Sequence, residues 1–142
     1  MGNKISAIIE ARSTSNRLKR KHLLKVKNKT ILEHMVIRLK KIKKLDSIIL
    51  ATTTNKEDDD LVKEAKKLKI KIFRGSENNV TKRVLDCAKK FKVKIILETM
   101  GDCPIIDFNL LEQLINSFLV NDGFDYANNG QFGLPNGMGC QI

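Results

Sequence analysis

Apolar and polar positions change rhythm several times along this chain, and each change predicts an element. Ile5 to Ala11 is a short, β-prone apolar run with no polar alternation, which predicts a central strand buried on both faces. Residues 12–29 break the pattern: the stretch is polar and basic, anchored only by Leu18, Leu23, Leu24 and Val26, and reads as a long functional loop. Thr30 and Glu33 form a capping-box pattern, so a helix starts there, with Ile31, Leu32, Met35, Val36, Leu39 and Ile42 at helical spacing.

The alternation then repeats. A second strand is predicted over 46–53 and a helix from a cap at Asn55 through Leu68, acidic at its start and basic at its end, as the helix dipole prefers. A strand over 70–73, a helix over 79–91, a strand over 93–97 and a helix over 108–120 follow, with a short extended piece around 124–126. Strands alternating with helices predict an α/β fold with a mostly parallel sheet between helical layers, and a ligand site at the carboxyl ends of the strands. No repeat or linker divides residues 1–142, so one domain is expected.

Composition sharpens this picture. With 42% hydrophobic residues and two prolines the chain can build a core. No apolar run approaches a membrane span and no signal peptide is evident, so a cytoplasmic protein without a membrane partner is expected. Three cysteines at wide spacing suggest neither a disulfide framework nor a zinc site, and none has a base partner at triad spacing. The net charge of +11 is unevenly spread: residues 1–100 carry every Lys and Arg, while residues 101–142 carry only acids. Most helix lysines are solvated surface. The charge could also mean nucleic-acid binding, but 5% aromatic content, no Trp and no helix-turn-helix pattern speak against it.

The loop cations are another matter. Arg12, Ser15, Arg17, Arg20 and Lys21, with Ser13 and Thr14, crowd the loop after the first strand, where cations and hydroxyls suit a triphosphate; the alternative is a solvated basic loop. Neither a Walker loop nor a dinucleotide fingerprint is present. His22 abuts Lys21 and could touch phosphate or simply lie at the surface; His34 reads as a helix-surface or packing residue. Asp102, ahead of Pro104, could be a metal ligand or an Asx-turn residue.

The run Ala11 to Lys21 (ARSTSNRLKRK) resembles the ARxxSxRLPxK signature of acylneuraminate and deoxy-octulosonate cytidylyltransferases, closest to their SpsF-like branch. Two more blocks agree in order: Arg74-Gly75-Ser76-Glu77 with Asn79, Val80 and Arg83, and Gly101-Asp102-Cys103-Pro104-Ile105-Ile106-Asp107. Tyr126, Asn128, Pro135, Asn136 and Gly137 continue the likeness. The resemblance implies a three-layer, nucleotide-diphosphosugar-transferase-like sandwich, incomplete at its C-terminus. It implies transfer of CMP from CTP to an acidic or related sugar in surface-polysaccharide biosynthesis, with release of pyrophosphate.

It also assigns roles. Arg12 and Lys21 would hold the triphosphate; Ala11, Ser15 and Arg17 would shape its loop; Arg74, Ser76 and Arg83 would complete the nucleotide site, the first two toward base and ribose. Asp102 would bind Mg²⁺, with Asp122 and Asp125 as candidate further ligands. The chain departs from the pattern at Lys19-Arg20, where Pro-Gly is usual, at Glu98 in place of an arginine, at Met100, and at Gln141 in place of a glutamate. The family's remaining metal ligand, much of its sugar pocket and its dimer surface would lie beyond Ile142. A homodimer, or association with a missing C-terminal half, is therefore expected, and a catalytically inactive nucleotide-binding module is the alternative to an enzyme.

Overall fold

A computed structural model describes residues 4–142 except 16, 122, 131 and 132. Strands β1 (Ile5–Glu10), β4 (Ser47–Thr53), β5 (Lys71–Gly75) and β6 (Ile95–Met100) form a parallel sheet in the order β5-β4-β1-β6. The chain winds outward from β1 to β4 and β5, then returns to place β6 on the other side of β1. That reversal is the topological switch point, where the crevice beyond the strand ends receives ligands in open α/β sheets.

Three layers follow from the two faces of the sheet. Helices α1 (Ile31–Leu39), α2 (Asp59–Lys67) and α4 (Phe108–Val120) cover one face, packing Leu32, Met35, Leu61, Leu111 and Ile115 onto Ala7, Ile9, Leu50 and Leu97. Helix α3 (Val80–Phe91) covers the other, with Val84, Cys87 and Ala88 on Ile8, Ile49 and Ala51. Ile8 and Ile9 are both fully buried, which is why β1 carries no polar alternation. No helix among the described residues is long and apolar enough to cross a membrane.

Boundaries differ from expectation where capping chemistry differs. Thr30 caps α1, its hydroxyl accepting from the Glu33 amide at 3.0 Å, but the Glu33 carboxylate pairs with Lys29 at 3.0 Å instead of reaching back. Asn55 makes no side-chain cap; a 3₁₀ turn over Lys56–Asp58 leads into α2. Lys92 in a left-handed conformation ends α3, which delays β6 to Ile95. The expected long loop holds a 3₁₀ turn (Lys21–Leu23) and a hairpin of β2 (Lys25–Val26) and β3 (Lys29–Thr30), turned by Lys27 and Asn28 at φ 48° and 65°.

The edge at β6 is partly covered. Gln141 pairs antiparallel with Glu98, and Asn128 pairs with Gln141. The Glu98 amide donates to the Gln141 carbonyl at 2.8 Å, and Ala127 and Ile142 exchange two bonds of 2.9 Å. Residues 127–129 and 140–142 thereby extend the sheet beyond β6, with Cys140 and Ile142 packed into the core.

Candidate nucleotide site at the switch point

The carboxyl ends of β1 and β6 meet at Gly101. Its amide donates to the Glu10 carbonyl at 2.8 Å, and a Cβ there would lie 2.8 Å from that oxygen, 2.9 Å from Ala11 Cβ and 3.0 Å from the His22 ring. Only glycine allows this approach. It brings the loop after β1 and the loop after β6 to a shared cleft.

Asp58, fully buried, fixes the first of those loops. One carboxylate oxygen accepts from the Ser13 amide at 2.6 Å. The other accepts from the Thr52 hydroxyl at 2.8 Å, the Thr53 amide at 3.0 Å and the Thr53 hydroxyl at 2.5 Å. Burial alone would raise its pKa, but these donors outweigh it and hold the carboxyl below the usual range. Nothing in the sequence pattern singled out Asp58. It sits in an acidic run, Glu57 to Asp60, that reads as an ordinary helix start, and only the pairing of β1 with β4 reveals its reach.

The cleft is a cavity of about 400 Å³ at the switch point. Ala11, Arg12, Ser15, Arg17, Lys21, Arg83 and Asp102 all line it, joined by Glu10, His22, Val80 and Met100. Arg12 and Arg17 are exposed at its mouth. Lys21 pairs with Asp102, joining the two loops across it. Burial would raise the Asp102 carboxyl, but the Lys21 hydrogen bond and charge bring it below its ordinary value.

Two buried polar groups border the cleft with unspent hydrogen-bonding capacity. Arg83 is 2% exposed; one guanidinium nitrogen donates to the Ser76 carbonyl at 2.5 Å, while its Nε has no partner. His22 is buried with Nδ1 unpartnered; burial, then the Lys21 charge, pushes its pKa down to about 4, so the ring is neutral at physiological pH. The expectation of a surface position for His22 is corrected by this burial.

Other residues fall elsewhere. Arg74 and Ser76 do not line the cavity: Arg74 donates to the carbonyls of Thr53 at 2.8 Å and Asn55 at 2.6 Å and pairs with Asp59 at 2.6 Å, bracing the end of β4 against α2. The Ser76 hydroxyl accepts from the Asn79 amide at 3.1 Å, at the entry to α3. Arg20 pairs with Asp60, away from the cleft. Asp122 lies outside the described residues, and Asp125 is exposed at a separate surface. Among the described residues no three His, Cys, Asp or Glu side chains converge as a metal cage. The cysteines are free and buried; burial pushes the Cys87 and Cys140 thiols up to about 12 and raises Cys103 as well, so none presents a thiolate.

Strand order and layers define a three-layer α/β domain with a cation-lined cleft at its switch point, the fold of the nucleotide-diphosphosugar transferases. The cytidylyltransferase family profile matches residues 6–132, and the chain belongs to that family. It is 32% identical over 129 residues to the spore coat polysaccharide biosynthesis protein SpsF of Bacillus subtilis, covering 88% of this chain and 53% of that protein. It is 32% identical over 127 residues to the 3-deoxy-manno-octulosonate cytidylyltransferase of Fusobacterium nucleatum, covering 87% and 50%. A solved cytidylyltransferase from Leptospira borgpetersenii superposes with TM-score 0.93 at 36% identity, covering 97% of this chain and 59% of that one. The chain thus spans about half the length of the curated relatives it matches.

Proposed function

We propose that this chain is the nucleotide-binding part of a sugar cytidylyltransferase, which transfers CMP from CTP to a sugar and releases pyrophosphate in surface-polysaccharide or glycoconjugate biosynthesis. The observation that carries it is the gathering of Arg12, Arg17, Lys21 and Arg83 around one cleft at the switch point, with Asp102 on its far wall. Four cations in a cleft suit a polyphosphate. The names of the relatives, a 3-deoxy-manno-octulosonate cytidylyltransferase and a spore coat polysaccharide protein, support the reaction class.

On this reading Arg12 and Arg17 grip the β- and γ-phosphates from the open side, where their fork geometry matches phosphate oxygens. Lys21, fixed by Asp102, supplies a positive charge next to the cleaved bond. A sugar hydroxyl attacks the α-phosphorus; the new O–P bond forms as the bond to the bridging oxygen breaks, and the hydroxyl proton leaves to solvent. The arrangement fits Mg²⁺ carried in on phosphate, since such ions take one or two carboxylates and complete their shell with phosphate oxygens and water. Asp102, an exposed carboxylate at the cleft, would be that ligand, and the ion would neutralise charge on the departing pyrophosphate. Activity in the cytoplasm, where CTP is made, belongs to the same reading. So does association with a second copy or with the region its relatives carry and this chain does not span.

Titration calorimetry with CTP, GTP, ATP and UTP, with and without Mg²⁺, tests the reading. Selective CTP binding, lost in Arg12→Ala/Lys21→Ala, is expected, with pyrophosphate release as the follow-up. Absence of binding to any triphosphate overturns it.

A further inference from the structure

The end of the molecule opposite the cation-lined cleft is also basic, and for a different reason. Because β1, β4, β5 and β6 are parallel, every turn from a helix back into the sheet lies at the amino edge of the strands, the length of β1, roughly 20 Å, from the switch point. Three such turns share one composition. Residues 40–46, between α1 and β4, read KKIKKLD; residues 66–71, from the end of α2 into β5, read KKLKIK; residues 89–94, from the end of α3 toward β6, read KKFKVK. Each contributes four exposed lysines, while the apolar residues between them, such as Ile42, Ile70 and Val93, pack inward. The turns also touch: Lys40 Nζ donates to the Leu68 carbonyl at 2.8 Å, and Lys71 Nζ lies 5.5 Å from the centre of the Phe91 ring.

Helix dipoles explain only part of this gathering. A helix end attracts cations within its last turn, whereas Lys43, Lys44, Lys69, Lys71, Lys92 and Lys94 lie beyond the helices. Little neutralises them. Asp46 is the one acid in the three turns, and its carboxylate accepts from the Ile5 amide at 2.7 Å. Of the lysines in these turns only Lys67 has an acidic partner among the described residues, Glu64 at 3.5 Å. Backbone conformation is a second, independent observation. Lys69 and Lys92 hold φ of 56° and 54°, where glycine would cost less, so charge stands there against both the backbone and the repulsion of its neighbours.

An apolar corner adjoins this pole. One groove sets Lys94 and Ile95, at the foot of β6, beside Phe118 and Asp125. Val120 and Phe124, next to those two in the chain, are 81% and 63% exposed, the highest values among the large apolar residues described. Lysines without arginine among them offer mobile point charges and no fork for a single phosphate. A nucleic acid would use the charges and leave Val120 idle; a lipid surface takes both, its headgroup phosphates meeting the lysines and its acyl boundary receiving the apolar side chains. We propose that the amino pole docks on an anionic membrane surface, with Val120 and Phe124 at the headgroup boundary and the nucleotide cleft turned away from the bilayer. Such docking needs no spanning segment, and it stands independently of what the cleft binds.

Co-sedimentation of the 142-residue chain with vesicles tests this, using phosphatidylcholine alone and phosphatidylcholine mixed with an equal amount of phosphatidylglycerol. Binding is expected to the mixed vesicles only, and to weaken at least about tenfold between about 0.1 and 0.5 M salt. Lys69→Gly/Lys92→Gly removes two charges where glycine suits the backbone, so the fold should persist while affinity falls at least about tenfold. Val120→Ser/Phe124→Ser should lower affinity about tenfold at either salt concentration. Equal binding to both vesicles, binding to neither, or undiminished binding of both variants overturns the proposal. So does tighter binding to a random-sequence DNA duplex than to the mixed vesicles at equal phosphate, lost in the lysine variant and kept in the apolar one, which would make the pole a nucleic-acid surface. The wild-type vesicle and duplex panels decide even if a variant fails to fold.

Discussion

Two cavities meet at Glu10, and they are built by opposite means. The first is lined by cations from an irregular loop and one helix, braced from behind by buried Asp58. The second is lined by acids and amides on strands and strand-like segments, held by a side-chain relay. A loop can gather charges that a sheet could not space so closely, but it needs a brace; a sheet edge positions fewer groups and holds them through its own register. The difference teaches that adjacent subsites need not share one electrostatic sign. The two linings meet at Glu10 and Met100, which border both cavities.

The largest blow to this arrangement should come from the brace. Asp58→Ala leaves the Ser13 amide and two threonine hydroxyls unpaired in the interior and should cost about 3 kcal/mol in denaturant unfolding. It should disorder the basic loop while leaving the acid-lined cavity in register; unchanged stability would mean that the loop is held by something else. Arg12→Ala/Lys21→Ala acts on one cavity only. CTP affinity should fall by about a hundredfold, or about 2.7 kcal/mol, with the unfolding midpoint nearly unchanged.

Glu10→Gln probes the shared wall. Burial, then the hydrogen bond and charge of Glu98, raise Glu10 from 4.5 to about 8. The folded state therefore favours the protonated acid: the stability linked to it is full below about 4.5 and is lost as pH rises through about 8. The wild type should lose about 1 kcal/mol over that window relative to the variant, after allowance for a half-exposed site. Parallel stability profiles for the two proteins would show that burial does not raise Glu10 in the folded state. The smallest effect is expected at Arg20, whose φ of 55° suits glycine. Arg20→Gly should stabilise by about 0.5–1 kcal/mol, since the exposed pair with Asp60 contributes little against left-handed strain. A destabilised variant would show that the ion pair outweighs the backbone term.

Much of this was legible in the sequence. Period and punctuation placed every strand of the parallel sheet and every α-helix to within a few residues, because each buries one or two faces in a regular pattern. The loop cations were visible as an excess no helix surface explains. Arg74 and Ser76 were not separable by type from cleft residues, since an arginine that braces backbone and one that faces solvent look the same in a string. Asp58 was hidden because its partners are 45 and 6 residues away. The pair of Glu10 and Glu98 was hidden by the β1–β6 register, and the covered edge of β6 by a segment with almost no apolar periodicity.

Asp58 also bears on how this sequence can change over time. Thr52, Thr53 and Asp58 satisfy one another inside the protein, and the Ser13 backbone depends on the same oxygen atoms. Losing Asp58 leaves both threonine hydroxyls and the Ser13 and Thr53 amides with buried, unmatched polarity, so the acid is the member least free to change, and even joint replacement of the trio by apolar residues strands the two amides. In a collection of relatives these three positions should vary as a unit, and a lineage that has abandoned the trio should show a different course for its basic loop.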